Sequence, residues 1–153
     1  MRKIFIVLFL TIGIFVSQAQ EIKWLTIDEA LALQKVTPKP IFMDVFTDWC
    51  GPCKMLDKQT FHDKAFVDEI TANYYAVKFN AEGKSEVNFN GKKYGNPNFI
   101  EGQTGRNSMH EFTQFLKLQG YPTMVVFNKN GEIANKIVGY RNPEQLLNEL
   151  KIK

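Results

Sequence analysis

The stretch MDVFTDWCGPCK, Met43 to Lys54, runs a nearly all-apolar segment directly into two cysteines separated by Gly51 and Pro52. Cys50 and Cys53 are the only cysteines in the chain. The apolar part, Ile41–Phe46, is short and almost unbroken, which suits a central strand covered on both faces. The part that follows, CKMLDKQTF, has helical spacing and is expected to turn Met55, Leu56 and Phe61 inward. Two thiols at a junction of strand and helix are the feature to be explained.

Four uses compete for such a pair. Zinc takes about four ligands, and only His62 and His110 could complete the set, at spacings that match no common finger. Both histidines are expected on the surface or satisfied at helix edges. Covalent haem needs a histidine directly after the second cysteine, where this chain has Lys54. A structural staple stabilises by closing a long loop, and a bridge between Cys50 and Cys53 closes almost nothing. Thiol–disulfide exchange fits the context. Cys50 would lie at a helix N-terminus, where unpaired N–H groups and the helix dipole favour a thiolate. Pro52 sets the backbone of the first turn without wasting a donor. Cys53, one turn further in, is expected to be the more buried sulfur, held in reserve to release a mixed disulfide.

Asp44 is out of place in a buried strand, because a lone carboxylate there costs several kcal/mol unless neutralised or paired. It either points to solvent at the strand end or lies beneath the cysteines as a general base with a raised pKa. In that second role it takes the proton from Cys53 as the thiol attacks. The second reading is preferred, since perturbed carboxylates concentrate at active sites.

Outward from this centre the pattern alternates. Thr26 and Glu29 form a capping box before Ile27, Ala30 and Leu31, and Pro38 and Pro40 end that helix. Asp63 caps a further helical stretch through Phe66, Val67 and Ile70, and Tyr74–Asn80 reads as the next strand. Residues 81–107 break the rhythm, holding five of the ten glycines together with five asparagines. They read as a long loop or small subdomain inserted at the surface. Residues 108–119 have helical spacing, with Met109, Phe112, Phe115 and Leu116 as the apolar stripe. Thr123–Phe127 and residues 132–139 form a hairpin about the turn Asn128–Gly131, and Asn142 and Pro143 open a last helix. This order predicts an α/β domain with a central mixed sheet flanked by helices.

Residues 1–19 have a different character. Arg2 and Lys3 precede an apolar run from Ile4 to Val16 and small residues at Ser17 and Ala19. That is the pattern of a signal peptide cleaved after Ala19, the run being shorter than the roughly 20 residues a membrane-spanning helix needs. The expected mature domain is 20–153, exported to the periplasm or secreted, and soluble. Without Arg2 and Lys3 the net charge of +3 becomes +1, and no basic run is interleaved with aromatics. Nucleic acid is therefore not an expected partner.

Taken together, MDVFTDWCGPCK, VKFNAE and GYPT resemble the thioredoxin superfamily over roughly residues 22–153. Within it, the segment from Cys53 to Glu82 is similar to exported thioredoxin-like domains, among them the periplasmic C-terminal domain of the bacterial transmembrane disulfide reductase. The resemblance implies a cis-proline at Pro122 facing the disulfide, with Tyr121 beside it and Gly139 lining the groove. It makes Lys78 the partner of Asp44, and places Trp49, Gly51 and Pro52 with Tyr121, Pro122 and Gly139 on the substrate side. It implies no cofactor beyond the redox-active disulfide, and the Gly-Pro spacer goes with the reducing end of the superfamily. Expected partners are disulfide-containing exported proteins and a membrane thiol-reductase as electron donor, with the chain acting as a monomer. An oxidase or isomerase, and a peptide-binding module with little turnover, are the alternatives.

Overall fold

The computed structural model describes residues 20–151; the expected leader at 1–19 lies outside the described residues. Helix α1 (Ile27–Val36) opens on the Thr26–Glu29 capping box and leads to β1 (Ile41–Phe46). Helices α2 (Gly51–Gln59) and α3 (Lys64–Asn73) follow, capped by Cys50 and Asp63, and β2 (Tyr75–Asn80) returns parallel to β1. A short hairpin, β3 (Val87–Phe89) and β4 (Lys92–Tyr94), precedes α4 (Glu111–Leu116). The chain ends in β5 (Thr123–Phe127), β6 (Ile133–Val138) and α5 (Pro143–Lys151). The four-stranded sheet runs β2-β1-β5-β6, with β5 antiparallel to both its neighbours. This is the expected mixed sheet between helices.

Strand parity decides which layer each side chain joins. Ile41, Met43 and Val45 face a core shared with α1, α4 and the small hairpin, while Phe42 joins Leu56 of α2, Phe66 and Ile70 of α3, and Leu146 of α5. Asp44 shares parity with Phe42, so it is aimed at the α2 side. Every β1 residue from Ile41 to Val45 is buried, as a central strand requires.

Three expectations need correction. The segment 81–107 is not confined to the surface, because Val87, Phe89 and Tyr94 alternate onto one face of the hairpin and enter the core beside Phe112 and Phe127. Its tip, Asn90-Gly91, takes positive φ at both residues, the conformation that tight hairpin turns demand. Met55 is exposed rather than inward, since Cys53 and Leu56 define the buried face of α2. The helix expected over 108–119 is only Glu111–Leu116, which leaves Met109 outside it and exposed. His110 caps this helix and is fully buried, its Nδ1 accepting the Phe112 N–H at 3.0 Å and its Nε2 2.6 Å from the Ser85 carbonyl. His62 is exposed, with Nδ1 2.8 Å from the Asp57 carbonyl. Among the described residues no helix is long and apolar enough to cross a membrane.

Candidate active site

Strand β1 ends at Phe46, and after three intervening residues the chain enters α2 through Cys50. Cys50 and Cys53 are joined in a disulfide, and the Cys53 N–H donates to Cys50 Sγ at 3.2 Å. Cys50 therefore caps the helix with its own sulfur, at the positive end of the helix dipole. Gly51 and Pro52 are exposed in the first turn. The expectation that Cys53 is the more buried sulfur does not hold at the residue level: Cys50 is 3% and Cys53 5% exposed. What separates them is surroundings. Cys53, and not Cys50, lines a cleft of about 260 Å³ together with Asp44, Thr47, Asp57 and Lys78.

The floor of that cleft is polar and incompletely paired. Asp44 is 1% exposed, and among the described residues its Oδ1 has no hydrogen-bond partner; neither has the buried Thr47 Oγ1. The parallel register sets Lys78 of β2 directly across from Asp44, with Nζ 3.8 Å from Oδ2. Lys78, however, makes its close ion pair with Asp57 of α2. Its ammonium also sits 5.0 Å from the Trp24 ring centroid and 5.4 Å from that of Phe61. The Asp44 carboxyl is pushed up to about 7, first by desolvation; Lys78 pulls it down, and the Asp57 charge pushes it further up. A carboxyl so placed can accept a proton near neutral pH, and the cysteine that lines its cleft is Cys53.

The Tyr121–Pro122 peptide bond is cis, and Pro122 is buried. Gly139 donates its N–H to the Pro122 carbonyl at 2.8 Å, with φ of +88°. Trp49 packs edge-on against Tyr121, ring centroids 6.1 Å apart, and donates its indole N–H to Glu82 at 2.9 Å. The structure thus gathers Asp44 and Lys78 in the cleft lined by Cys53, sets Trp49 against Tyr121, and ties Gly139 to Pro122. Sequence reasoning missed Asp57, although its place four residues after Cys53 puts the two on one face of α2. It also missed Glu82 and Arg106, which approach Trp49 only through the fold of the inserted segment.

A disulfide stands at the N-terminus of α2, just beyond a central strand that carries a buried carboxyl, and residues 27–152 match the thioredoxin-like domain family. The chain belongs to that family. Its Cys50–Cys53 pair makes it a thioredoxin-like thiol–disulfide oxidoreductase. It is similar to the thiol:disulfide interchange protein DsbD of Campylobacter jejuni, 29% identical over 113 residues, covering 74% of this chain and 16% of that protein. The chain spans between 7% and 22% of the length of the curated relatives it matches. Among solved structures, a candidate disulphide isomerase from Bacteroides thetaiotaomicron is 28% identical, with TM-score 0.62, covering 89% of this chain and 95% of that one. The oxidised C-terminal domain of Neisseria meningitidis DsbD shares the fold at 17% identity and TM-score 0.53, covering 84% and 97%.

Proposed function

We propose that this thioredoxin-like domain is a reductant of disulfides in exported proteins. The observation that carries this reading is the cleft at the strand-to-helix junction, where a carboxyl raised to about 7 lies with one cysteine only, Cys53. In the reduced domain the Cys50 thiolate, favoured by the α2 N-terminus, attacks a substrate disulfide, and the first substrate thiolate leaves and takes up a proton. Cys53 then gives its proton to the Asp44 carboxylate and attacks Cys50 Sγ. The second substrate thiol departs, and two electrons have passed from the dithiol to the substrate. Lys78 moderates the charge on Asp44. Trp49, Gly51, Pro52, Tyr121, Pro122 and Gly139 form the surface on which an extended substrate segment lies, pairing with the chain edge at Pro122.

The Gly51-Pro52 spacer supports the reducing direction through its resemblance to reducing members of the superfamily. The leader pattern at 1–19 and the similarity to the DsbD domain support a periplasmic or secreted location. That similarity also supports a membrane thiol-reductase as the source of electrons.

The test is the redox equilibrium of the Cys50–Cys53 pair against glutathione, alongside turnover of a disulfide-bonded peptide with dithiothreitol. A potential near the roughly −270 mV of thioredoxin supports a reductant. A value at or above the roughly −180 mV of an isomerase would place the domain among isomerases or oxidases instead. No turnover at all would leave a peptide-binding module.

A further inference from the structure

The segment inserted between β2 and α4 reaches back to the active-site loop. Arg106 is exposed, and its guanidinium carbon sits 4.0 Å from the centroid of the Trp49 ring, the residue next to Cys50. Such stacking fixes the plane of a guanidinium while leaving its N–H edge open. Among the described residues Arg106 makes no side-chain ion pair.

The backbone around it is held in place. Asn107, the next residue, donates its N–H at 2.8 Å to the same Glu82 oxygen that receives the Trp49 indole N–H. Asn107 also ties to Ile100 through two bonds, of 3.0 and 2.8 Å. At the neck of the loop Asn96 donates to the Gly83 and Ser108 carbonyls, at 3.0 and 2.8 Å, and accepts from the Ser108 hydroxyl at 2.6 Å. Across the groove the Tyr121 phenol is pushed up by burial and by Glu82 and pulled down by Arg106, so both charges are felt at the residue preceding Pro122. Glu82 is occupied by two N–H donors. The cation has donors to spare.

We infer that Arg106 is a specificity-determining residue, which presents its guanidinium beside Trp49 to receive a carboxylate side chain flanking the cysteine of a substrate segment. A segment that lies along the Pro122 edge and delivers a sulfur to Cys50 must pass the Trp49 rim, which brings a residue adjacent to its cysteine within reach of the fork. Charge-assisted and bidentate hydrogen bonding then favours glutamate or aspartate there. This inference rests on the reductase reading and names the class of substrate it acts on.

The experiment uses two disulfide-linked peptides that differ only in Glu or Gln beside the cysteine, reduced by the full chain with dithiothreitol as electron source. The expected ratio of kcat/KM, Glu over Gln, is about fivefold at low salt, carried mainly by KM and shrinking as salt screens the pair. Arg106→Gln brings the ratio to about one, and Arg106→Lys, which keeps charge but loses the planar fork, falls between. A wild-type ratio of one or below, or a fivefold ratio that survives in Arg106→Gln, overturns the inference. Failure to reduce either peptide would instead strike the reductase reading, and this inference with it.

Discussion

Lys78 stands across from Asp44 in the parallel register of β1 and β2, yet it closes its ion pair with Asp57 of α2 and leaves Asp44 at 3.8 Å. Asp44 is therefore a buried acid with a nearby cation that another carboxylate has claimed. Desolvation wins over that partial compensation, and the carboxyl titrates near neutrality. The domain keeps an acid that its own core does not want.

Competition for Lys78 has a direct consequence. Asp57→Asn removes a negative charge that pushes the Asp44 carboxyl up, and frees Lys78 to turn toward it. The Asp44 pKa should fall, and the pH midpoint of mixed-disulfide resolution should move down with it. Titration of Asp44 by carboxyl-carbon NMR in the two proteins checks this; an unmoved midpoint means the Asp57 charge is not felt at Asp44.

The same carboxyl shapes stability against pH. Its folded pKa, about 7, lies above its ordinary value of 3.8, so between those limits the folded protein holds a proton that the unfolded chain has lost. The contribution is fully favourable below about pH 4, is lost as pH rises toward 7, and is flat above. Denaturant melts of the oxidised protein and of Asp44→Asn should agree near pH 4. By pH 7.5 the variant should be the more stable, by on the order of 4 kcal/mol at about 1.4 kcal/mol per unit. A constant difference across that range would place Asp44 in solvent.

The two sulfurs should separate by variant. Cys50→Ser removes the sulfur at the helix N-terminus and abolishes disulfide reduction. Cys53→Ser still attacks but stalls as a mixed disulfide, because nothing remains to resolve it. Mass spectrometry of the trapped adduct is the check. Normal turnover by Cys53→Ser contradicts a two-thiol mechanism.

Much of this was legible in the sequence, for local reasons. The capping box at Thr26, the cap at Asp63, the unbroken apolar run of β1 and the hairpin of β5 and β6 are each written in neighbouring residues, and each formed. Asp44 stood out because a charge in an all-apolar strand is an anomaly, and strand parity then fixes the face on which it lies. In the inserted segment, glycines and asparagines point to surface and outweigh a weaker signal. Phe89-Asn90-Gly91-Lys92 is a tight-turn sequence between alternating residues, and it buries Val87, Phe89 and Tyr94. Glu82 and Arg106 left no local signal at all, since their approach to Trp49 exists only after the loop has folded.

If the small hairpin is core, Phe89→Ala should destabilise the domain by about 3–5 kcal/mol, the usual cost of removing a buried phenylalanine. Phe89 is 2% exposed, and its ring centroid lies within 6 Å of those of Phe112, Phe115 and Phe127. Urea denaturation reads this directly. A change below about 0.5 kcal/mol is what a dispensable surface residue gives.

If Asp44 takes the proton from Cys53, the rate of mixed-disulfide resolution reads that transfer. A mixed disulfide is prepared on Cys50 of Asp44→Asn, and release of the substrate thiol is followed in a single turnover near pH 7. Resolution is expected to be slower by about 10² to 10⁴, the range for a lost general base, in a protein whose melting temperature holds or rises. Resolution at the wild-type rate would contradict that transfer.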